Sequence, residues 1–105
     1  MYRIELTSDA IDDLADICCY IKRNDSVESA KNIVEQIKET ISALNEACNG
    51  SYPRELLAAG VKEFREIYFK PYRIIYTVIG DIVLVVLIAD GRRDLQRILE
   101  ERLLK

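Results

Sequence analysis

The chain has 105 residues, 50% of them apolar and 31% charged, which is enough for one hydrophobic core and excludes a disordered protein. We therefore expect a single domain over residues 1–105. The net charge of −3 divides into −5 over residues 1–50 and +2 over residues 51–105, which counts against a dedicated nucleic-acid binder but leaves room for a local basic face.

The first half of the chain predicts a strand followed by two helices. Apolar and polar residues alternate over Tyr2–Leu6, which is the period of an edge or near-edge strand with one buried face. Thr7–Asp9 caps a helix that runs to about Arg23. Its apolar stripe is Ile11, Leu14, Cys18 and Ile21. After a break at residues 24–26, a second helix completes an antiparallel hairpin. Its apolar stripe is Ala30, Ile33, Ile37, Ile41, Leu44 and Cys48.

The second half predicts three strands. Residues 54–60 read as a connecting segment with no clear period, and strands are expected at about Lys62–Phe69, Tyr72–Ile79 and Ile82–Ala89. Gly80-Asp81 gives the last two strands a two-residue turn with glycine first, the chemistry of a type II′ hairpin. The third strand is apolar at every position, so it belongs at the centre of the sheet with both faces covered. The same run is too short to span a bilayer.

A terminal helix over residues 94–105 could cover the second face of the sheet. Its inward positions are Leu95, Ile98, Leu99 and Leu103. The order β-α-α-β-β-β-α predicts an α+β domain in which the helical hairpin packs on one face of a mainly antiparallel sheet. The N-terminus has no signal-peptide core, so we expect a cytoplasmic protein, and the odd count of three cysteines predicts reduced thiols.

Arginines and tyrosines are interleaved along Phe64–Tyr76, which places cationic donors beside stackable rings. Such a surface could grip an RNA backbone, an acidic protein groove or a partner peptide. Tyr72 and Tyr76 share one strand face, which suits core or sheet packing, with base stacking as the alternative. The sequence contains no phosphate-binding glycine loop, no His/Cys metal spacing and no nucleophile elbow, so no cofactor and no metal site is predicted.

Four stretches carry family-like phrases, namely Tyr2–Leu14, Gly60–Arg65, Pro71–Tyr76 and Gly91–Leu95. In this order and on these elements they resemble the RelE/ParE superfamily of bacterial type II toxins, over nearly the whole chain. The resemblance implies a toxin that a cognate antitoxin neutralises in a toxin–antitoxin complex. RelE-like members cut mRNA in the ribosomal A site, with basic side chains stabilising charge on the phosphate, whereas ParE-like members poison DNA gyrase.

The resemblance also assigns roles to three arginines. Arg73 matches the central-strand arginine of RelE-like toxins, and Arg93 matches the arginine of their Gly-Lys-Arg phrase, so both would be phosphate ligands in a nuclease. Arg65 lies near the basic residue that those enzymes carry on the preceding strand. Arg73 also has acidic neighbours in the sequence, so a merely solvated or salt-bridged position is the alternative.

Two features depart from the RelE-like pattern. Leu99 falls where those toxins carry a catalytic tyrosine, and a leucine can neither transfer a proton nor stack on a base. The chain also has no histidine, so Glu63 or Glu66 would have to act as the general base. Both departures favour a ParE-like toxin that acts by binding a protein.

Three functional hypotheses follow. The first is a ParE-like toxin directed at DNA gyrase, and the second is a ribosome-dependent mRNA endonuclease that uses Arg65, Arg73 and Arg93. The third is an inactive toxin-like module that only binds its antitoxin, so the sequence leaves open whether the chain is an enzyme. In each case, we expect a partner peptide to lie across the sheet and the helical hairpin. The predicted partner-binding residues are Tyr72, Tyr76, Leu95, Ile98, Leu99 and Leu103.

Overall fold

A computed structural model describes residues 1–103 and confirms the predicted α+β order, with one short additional helix. The helices are α1 (Ser8–Asn24), α2 (Val27–Ser42), α3 (Arg54–Ala58) and α4 (Leu95–Leu103). The strands are β1 (Arg3–Leu6), β2 (Phe64–Phe69), β3 (Tyr72–Ile79) and β4 (Ile82–Asp90). The terminal helix was expected to reach residue 105, and its last two residues lie outside the described part of the chain.

Side-chain caps fix where the two long helices begin. The Thr7 hydroxyl accepts a hydrogen bond from the backbone N–H of Ala10 at 3.1 Å, and the Ser26 hydroxyl accepts one from Ser29 at 3.0 Å. Each bond satisfies a backbone donor that the first helical turn leaves without a partner. The predicted hairpin is therefore confirmed, with Asp25 between the helices.

The sheet has the strand order β1-β4-β3-β2. The β2–β3 and β3–β4 pairs are antiparallel, as expected, whereas β1 runs parallel to β4 and forms one edge. At the β3–β4 turn, Gly80 has a φ of 62° and Asp81 has no positive φ, which is the backbone pattern of the predicted type II′ turn.

Both faces of β4 are covered, as its apolar run predicted. One cluster lies between the sheet and the α1–α2 hairpin and includes Ile37, Tyr76 and Val83. The second cluster lies between the opposite face and the helices α3 and α4, and includes Leu87 and Leu99. The burial of apolar area on both faces is the main source of stability for a sheet of this kind.

A β-bulge in β4 interrupts the alternation of its side chains. Tyr76 pairs with Val85 and Ile75 pairs with Leu87, so Val86 is the extra residue. As a result, Val86 and Leu87 both belong to the cluster under α4, whereas Val85 faces the helical hairpin.

The predicted stripe of α1 was wrong in part. Ile11 is 56% exposed, whereas Ala10 is fully buried and Ile17 packs against the core. The helix is rotated so that Ala10, Leu14 and Ile17, at spacings of four and three, face the sheet. Ile11 lies on the flank of this stripe.

Two further boundaries differ from the sequence-based expectation. The second helix ends at Ser42, and a short 3₁₀ turn at Ala43–Asn45 carries Leu44 into the core. The connecting segment contains α3, whose five residues are too few to show a helical period. Its Leu56 is 1% exposed and anchors the segment under the sheet.

Candidate functional site

A groove runs between α1 and the last part of β4, and we call it the α1–β4 groove. It exists because β1 pairs with β4 only as far as Val85, so within residues 1–103 no strand lies beside the remainder of this edge. The cavity has a volume of about 440 Å³. Its lining residues are Asp13, Asp16, Ile17, Tyr20, Tyr72, Ile88, Ala89, Asp90, Arg92 and Arg93.

Side chains close the end of this groove nearest to β1. Asp13 Oδ2 accepts hydrogen bonds from the backbone N–H of Ile88 at 3.0 Å and from Arg102 Nη1 at 2.7 Å. Arg102 Nη1 also donates to the carbonyl of Val86 at 3.3 Å. These two backbone groups lie just past the end of β1, so the ion pair satisfies them in place of a neighbouring strand. It also ties α4 to α1.

The opposite end of the groove is polar. Arg92 lies 2.6 Å from Asp90 and its side chain is 79% exposed. The hydrogen bond from Arg92 lowers the pKa of Asp90, so this carboxyl is ionised at neutral pH. Burial raises the pKa of Tyr72, which remains a neutral donor and acceptor beside Asp90. Arg93 is exposed at the same rim.

Arg73 lies on the other face of the sheet, in a buried ion cluster with Glu55 and Glu66. Its Nε is 2.7 Å from Glu66 and its Nη1 is 2.8 Å from Glu55. The three side chains are 8%, 3% and 12% exposed for Arg73, Glu66 and Glu55. Hydrogen bonds from Arg73 lower the pKa of Glu55, and the two carboxylates raise the pKa of Arg73. Of the alternative expectation, the salt bridge is observed, whereas a solvated position is wrong because Arg73 is buried.

Arg65 has a different set of partners. Its Nη1 donates to the carbonyl of Gly50 at 2.8 Å, and its Nη2 donates to the Tyr52 hydroxyl at 2.9 Å. Its guanidinium carbon also lies 4.4 Å from the centre of the Tyr52 ring. The Tyr76 hydroxyl accepts a hydrogen bond from the N–H of Gly50 at 2.7 Å. Arg65 and Tyr76 thus hold the segment after α2 against the sheet.

The three arginines of the nuclease hypothesis do not share a surface. Arg65 of β2 lies opposite Tyr76 of β3, so its side chain is on the face of the sheet that the helical hairpin covers. Arg73 is on the other face, beside α3. Arg93 lines the α1–β4 groove, which Arg73 does not. The three guanidinium groups therefore do not line one common cavity in this structure.

The predicted partner-binding residues lie in three different environments. Tyr72 lines the groove, whereas Tyr76 is fully buried in the core and presents no surface to a partner. The α4 residues Leu95 and Leu99 are buried under the sheet at 2% and 1% exposure. The partly buried positions that pack against the same cluster are Ile98 and Leu103.

Sequence reasoning did not select Asp13, Tyr20 or Glu55. Asp13 and Tyr20 lie outside the predicted stripe of α1, and Glu55 was placed in a segment without a period. The available signal was the rotation of α1: once Ala10, Leu14 and Ile17 are placed against the sheet, Asp13 and Tyr20 fall on the flank that borders β4.

Neither a metal centre nor a membrane span is found in residues 1–103. No three His, Cys, Asp or Glu side chains lie close enough together to hold a metal ion there. None of the helices in that range combines the length and apolar character needed to cross a bilayer.

The fold and this set of sites agree with a toxin of the RelE/ParE type, and comparison with known proteins identifies the family. Residues 4–95 match the family of the ParE toxin of the type II toxin–antitoxin system parDE, and the chain belongs to this family. The fold is similar to a chain in the solved structure of the chromosomal ParDE toxin–antitoxin system from P. aeruginosa. The TM-score is 0.74 at 20% sequence identity, and the alignment covers 86% of this chain and 96% of that chain. Among curated proteins, no sequence matches significantly.

Proposed function

We propose that this member of the ParE toxin family arrests growth by binding and poisoning DNA gyrase in the cytoplasm, and that a cognate antitoxin neutralises it. The observation that carries the proposal is the buried cluster of Arg73 with Glu55 and Glu66. An arginine held by two carboxylates has little capacity left for a phosphate, which argues for action by protein binding rather than by RNA cleavage.

The chemistry of RNA cleavage gives further support. An endonuclease must stabilise a pentavalent phosphate and move two protons. Glu66, one of the two candidate bases, is 3% exposed and accepts hydrogen bonds from Arg73. Leu99 is buried and has no group that transfers protons. The other candidate base, Glu63, is exposed. The Thr77 hydroxyl donates a hydrogen bond to its backbone carbonyl and so does not orient its carboxylate.

The α1–β4 groove is the surface that we assign to the antitoxin. The similar P. aeruginosa structure is described as a toxin–antitoxin system, which supports a protein partner here. The groove offers apolar contacts at Ile17, Tyr20 and Ile88, with carboxylates along α1 and arginines at its far end. A peptide that folds on binding can use both kinds of contact.

The test of the target combines two assays on one preparation. Purified toxin should block supercoiling by gyrase, and the product of the neighbouring reading frame should restore it. Primer extension on mRNA from induced cells should show no new ribosome-dependent cuts. New ribosome-dependent cuts, with gyrase unaffected, would establish the nuclease instead. Their loss in Arg73→Ala but not in Arg97→Ala would assign a role to Arg73 if thermal melting shows that the variant is folded. Loss of both activities with antitoxin binding retained would establish the inactive module.

The test of the groove uses two exposed apolar residues of α1 as a matched pair. Tyr20 is 66% exposed and lines the groove, whereas Ile11 is 56% exposed and does not. Tyr20→Asp should weaken antitoxin binding at least roughly tenfold, about 1.4 kcal/mol, and Ile11→Asp should leave it unchanged. Equal losses in both variants, measured by calorimetry, would place the antitoxin elsewhere on α1.

A further inference from the structure

A second cleft, distinct from the groove, lies where α3 meets the β2–β3 turn and the end of β4. Its volume is about 350 Å³, and we call it the basic cleft. Four cationic side chains and one tyrosine line it, together with the backbone of the turn. These side chains are Arg54, Tyr68, Lys70, Arg73 and Arg92.

No acidic residue is among those that line the basic cleft. The carboxylates nearby are already engaged, because Glu55 and Glu66 bind Arg73 and Asp90 binds Arg92. The net charge of this whole group, counting Arg54 and Lys70, is therefore only slightly positive. Cationic side chains nevertheless line the cleft, and none of these three carboxylates does.

Two of the cations are available to a ligand. Lys70 is exposed and forms no ion pair with any of residues 1–103. Arg54 is 87% exposed, and its nearest carboxylate, that of Glu55, is 4.0 Å away. This contact is long and Glu55 already binds Arg73 at 2.8 Å, so the exposed Arg54 guanidinium remains open to an incoming anion.

The floor of the cleft depends on a glycine. The N–H of Gly91 donates to the carbonyl of Pro71 at 2.7 Å. A Cβ at this position would lie 3.1 Å from that carbonyl oxygen and 3.2 Å from Cδ of Arg73. A side chain here would therefore press against the carbonyl of Pro71 and the stem of Arg73.

An exposed aromatic ring stands beside these cations. Tyr68 is 51% exposed at the edge strand β2, on the same face of the sheet as its cross-strand neighbour Arg73. A basic cleft with an exposed ring is the combination that binds single-stranded nucleic acid, because cations neutralise the phosphates and a ring stacks on an unpaired base. A duplex offers its phosphates but no free base face.

We infer that the basic cleft binds a single strand of nucleic acid through the phosphates and one stacked base. Arg54 and Lys70 contact the phosphates, Arg92 extends the cationic surface, and Tyr68 stacks on the base. This site differs from the one in the nuclease hypothesis, which uses Arg65, Arg73 and Arg93. Here Arg73 only lines the cleft, and no bond of the nucleic acid is broken. The inference goes beyond the proposed gyrase target and does not depend on it.

The experiment measures fluorescence anisotropy of labelled DNA and RNA single strands of about 12 nucleotides, and of a DNA duplex of equal length, with the purified chain. No gyrase or ribosome is present, so a negative result leaves the proposed target untouched. Titrations at roughly 50 and 200 mM salt give the number of phosphate contacts. The unmodified chain should bind both single strands more tightly than the duplex.

The decisive variants remove equal charge at two places. Arg54→Gln with Lys70→Gln should weaken single-strand binding at least roughly tenfold and reduce the salt slope by about 1.4, since each phosphate contact on a single strand contributes about 0.7. The control, Lys31→Gln with Lys38→Gln, removes two exposed lysines of α2 and should leave both quantities unchanged. Tyr68→Ala should weaken single-strand binding and spare the duplex. Thermal melting checks that each variant is folded.

The outcomes separate cleanly. A preference for RNA would indicate that the natural ligand is RNA read through its 2′-hydroxyls, and equal affinities would indicate recognition of the backbone and base face alone. Either result supports the site if the cleft variants lose binding. Three results would overturn the inference. They are the absence of binding at roughly 50 mM salt, an equal loss of affinity in the cleft double variant and in the α2 control, and tighter binding of the duplex than of the single strands.

Discussion

On the α1–α2 side of the sheet the buried side chains form an apolar cluster, whereas the α3–α4 side also buries one arginine and one glutamate, Arg73 and Glu66. Both sides are built from the same strands, because Ile74 of β3 faces one cluster and Arg73 faces the other. An ion cluster requires partners from separate elements, whereas an apolar cluster needs only matching shapes. On the apolar side, the loss of unfolding free energy should therefore increase with the volume of side chain removed. On the side with the ion cluster, removal of one charged partner should cause a large loss at once.

The largest expected effect comes from Leu99, at the centre of the α3–α4 side. Leu99→Asp removes a buried leucine and places an unpaired carboxylate among Leu56, Leu87 and Leu95. We expect a loss of about 5 kcal/mol in the free energy of unfolding, enough to prevent folding of a domain this small. Thermal and urea melting measure it, with Gln96→Asp on the exposed face of the same helix as the control. An unchanged melting curve would show that α4 does not pack as described.

The next effect tests the ion cluster directly. Arg73→Met keeps a chain of similar length but leaves Glu55 and Glu66 without a cation, and we expect a loss of about 3 to 5 kcal/mol. Arg97→Met removes an exposed arginine whose ion pair, among residues 1–103, is with Glu101 of the same helix, and it should change stability by less than about 0.5 kcal/mol. Similar small losses in both variants would contradict a structural role for Arg73. Urea titration of the two variants gives the comparison.

A smaller effect is expected where an ion pair joins the two sides. Arg102→Met removes the partner of Asp13 and the donor to Val86, at a pair that is 24% and 13% exposed. We expect a loss of about 1 to 2 kcal/mol, because the freed groups can partly be reached by water. Hydrogen exchange should show faster exchange of the Ile88 amide and of α4, with the α2 amides unaffected. An equal increase in exchange rate at amides throughout the chain would contradict a local effect of this ion pair.

The smallest effect is on the pH dependence of stability. The pKa of Glu55 is lowered from 4.5 by its hydrogen bonds from Arg73, so its contribution is present above pH 4.5 and is lost as the pH falls through the folded value. Unfolding free energies of the parent chain and of Glu55→Gln should therefore converge as the solution becomes more acidic than pH 4.5. A constant difference between the two at all pH values would exclude this linkage.

The sequence predicted the elements well because their signals are local. Thr7 and Ser26 mark the helix starts, and Gly80 marks the turn by its position between two apolar runs. The rotation of α1 was predicted less well, since Ala10 carries a weak apolar signal and Ile11 a strong one. What decides between them is contact with the sheet, which a helical period does not specify.

The roles of the charged residues could not be predicted in the same way. Arg73 and Glu55 are 18 positions apart, and Arg102 and Asp13 are 89 positions apart. No short pattern links such pairs, so the acidic neighbours of Arg73 suggested an ion pair but did not identify Glu55 as a partner. The bulge at Val86 could not be predicted either. In a strand that is apolar at every position, the sequence does not show which residues face which side of the sheet.

The side chains of Asp13 and Arg102 act on the edge of β4 as a substitute for a missing strand. A carboxylate takes the place of a neighbour's carbonyl at Ile88, and a guanidinium takes the place of its amide at Val86. Exposed strand edges are the usual starting points for uncontrolled sheet growth between molecules, and natural proteins protect them. Asp13 and Arg102, which are 89 positions apart in the chain, thus occupy backbone groups of β4 that could otherwise pair with a strand of another molecule.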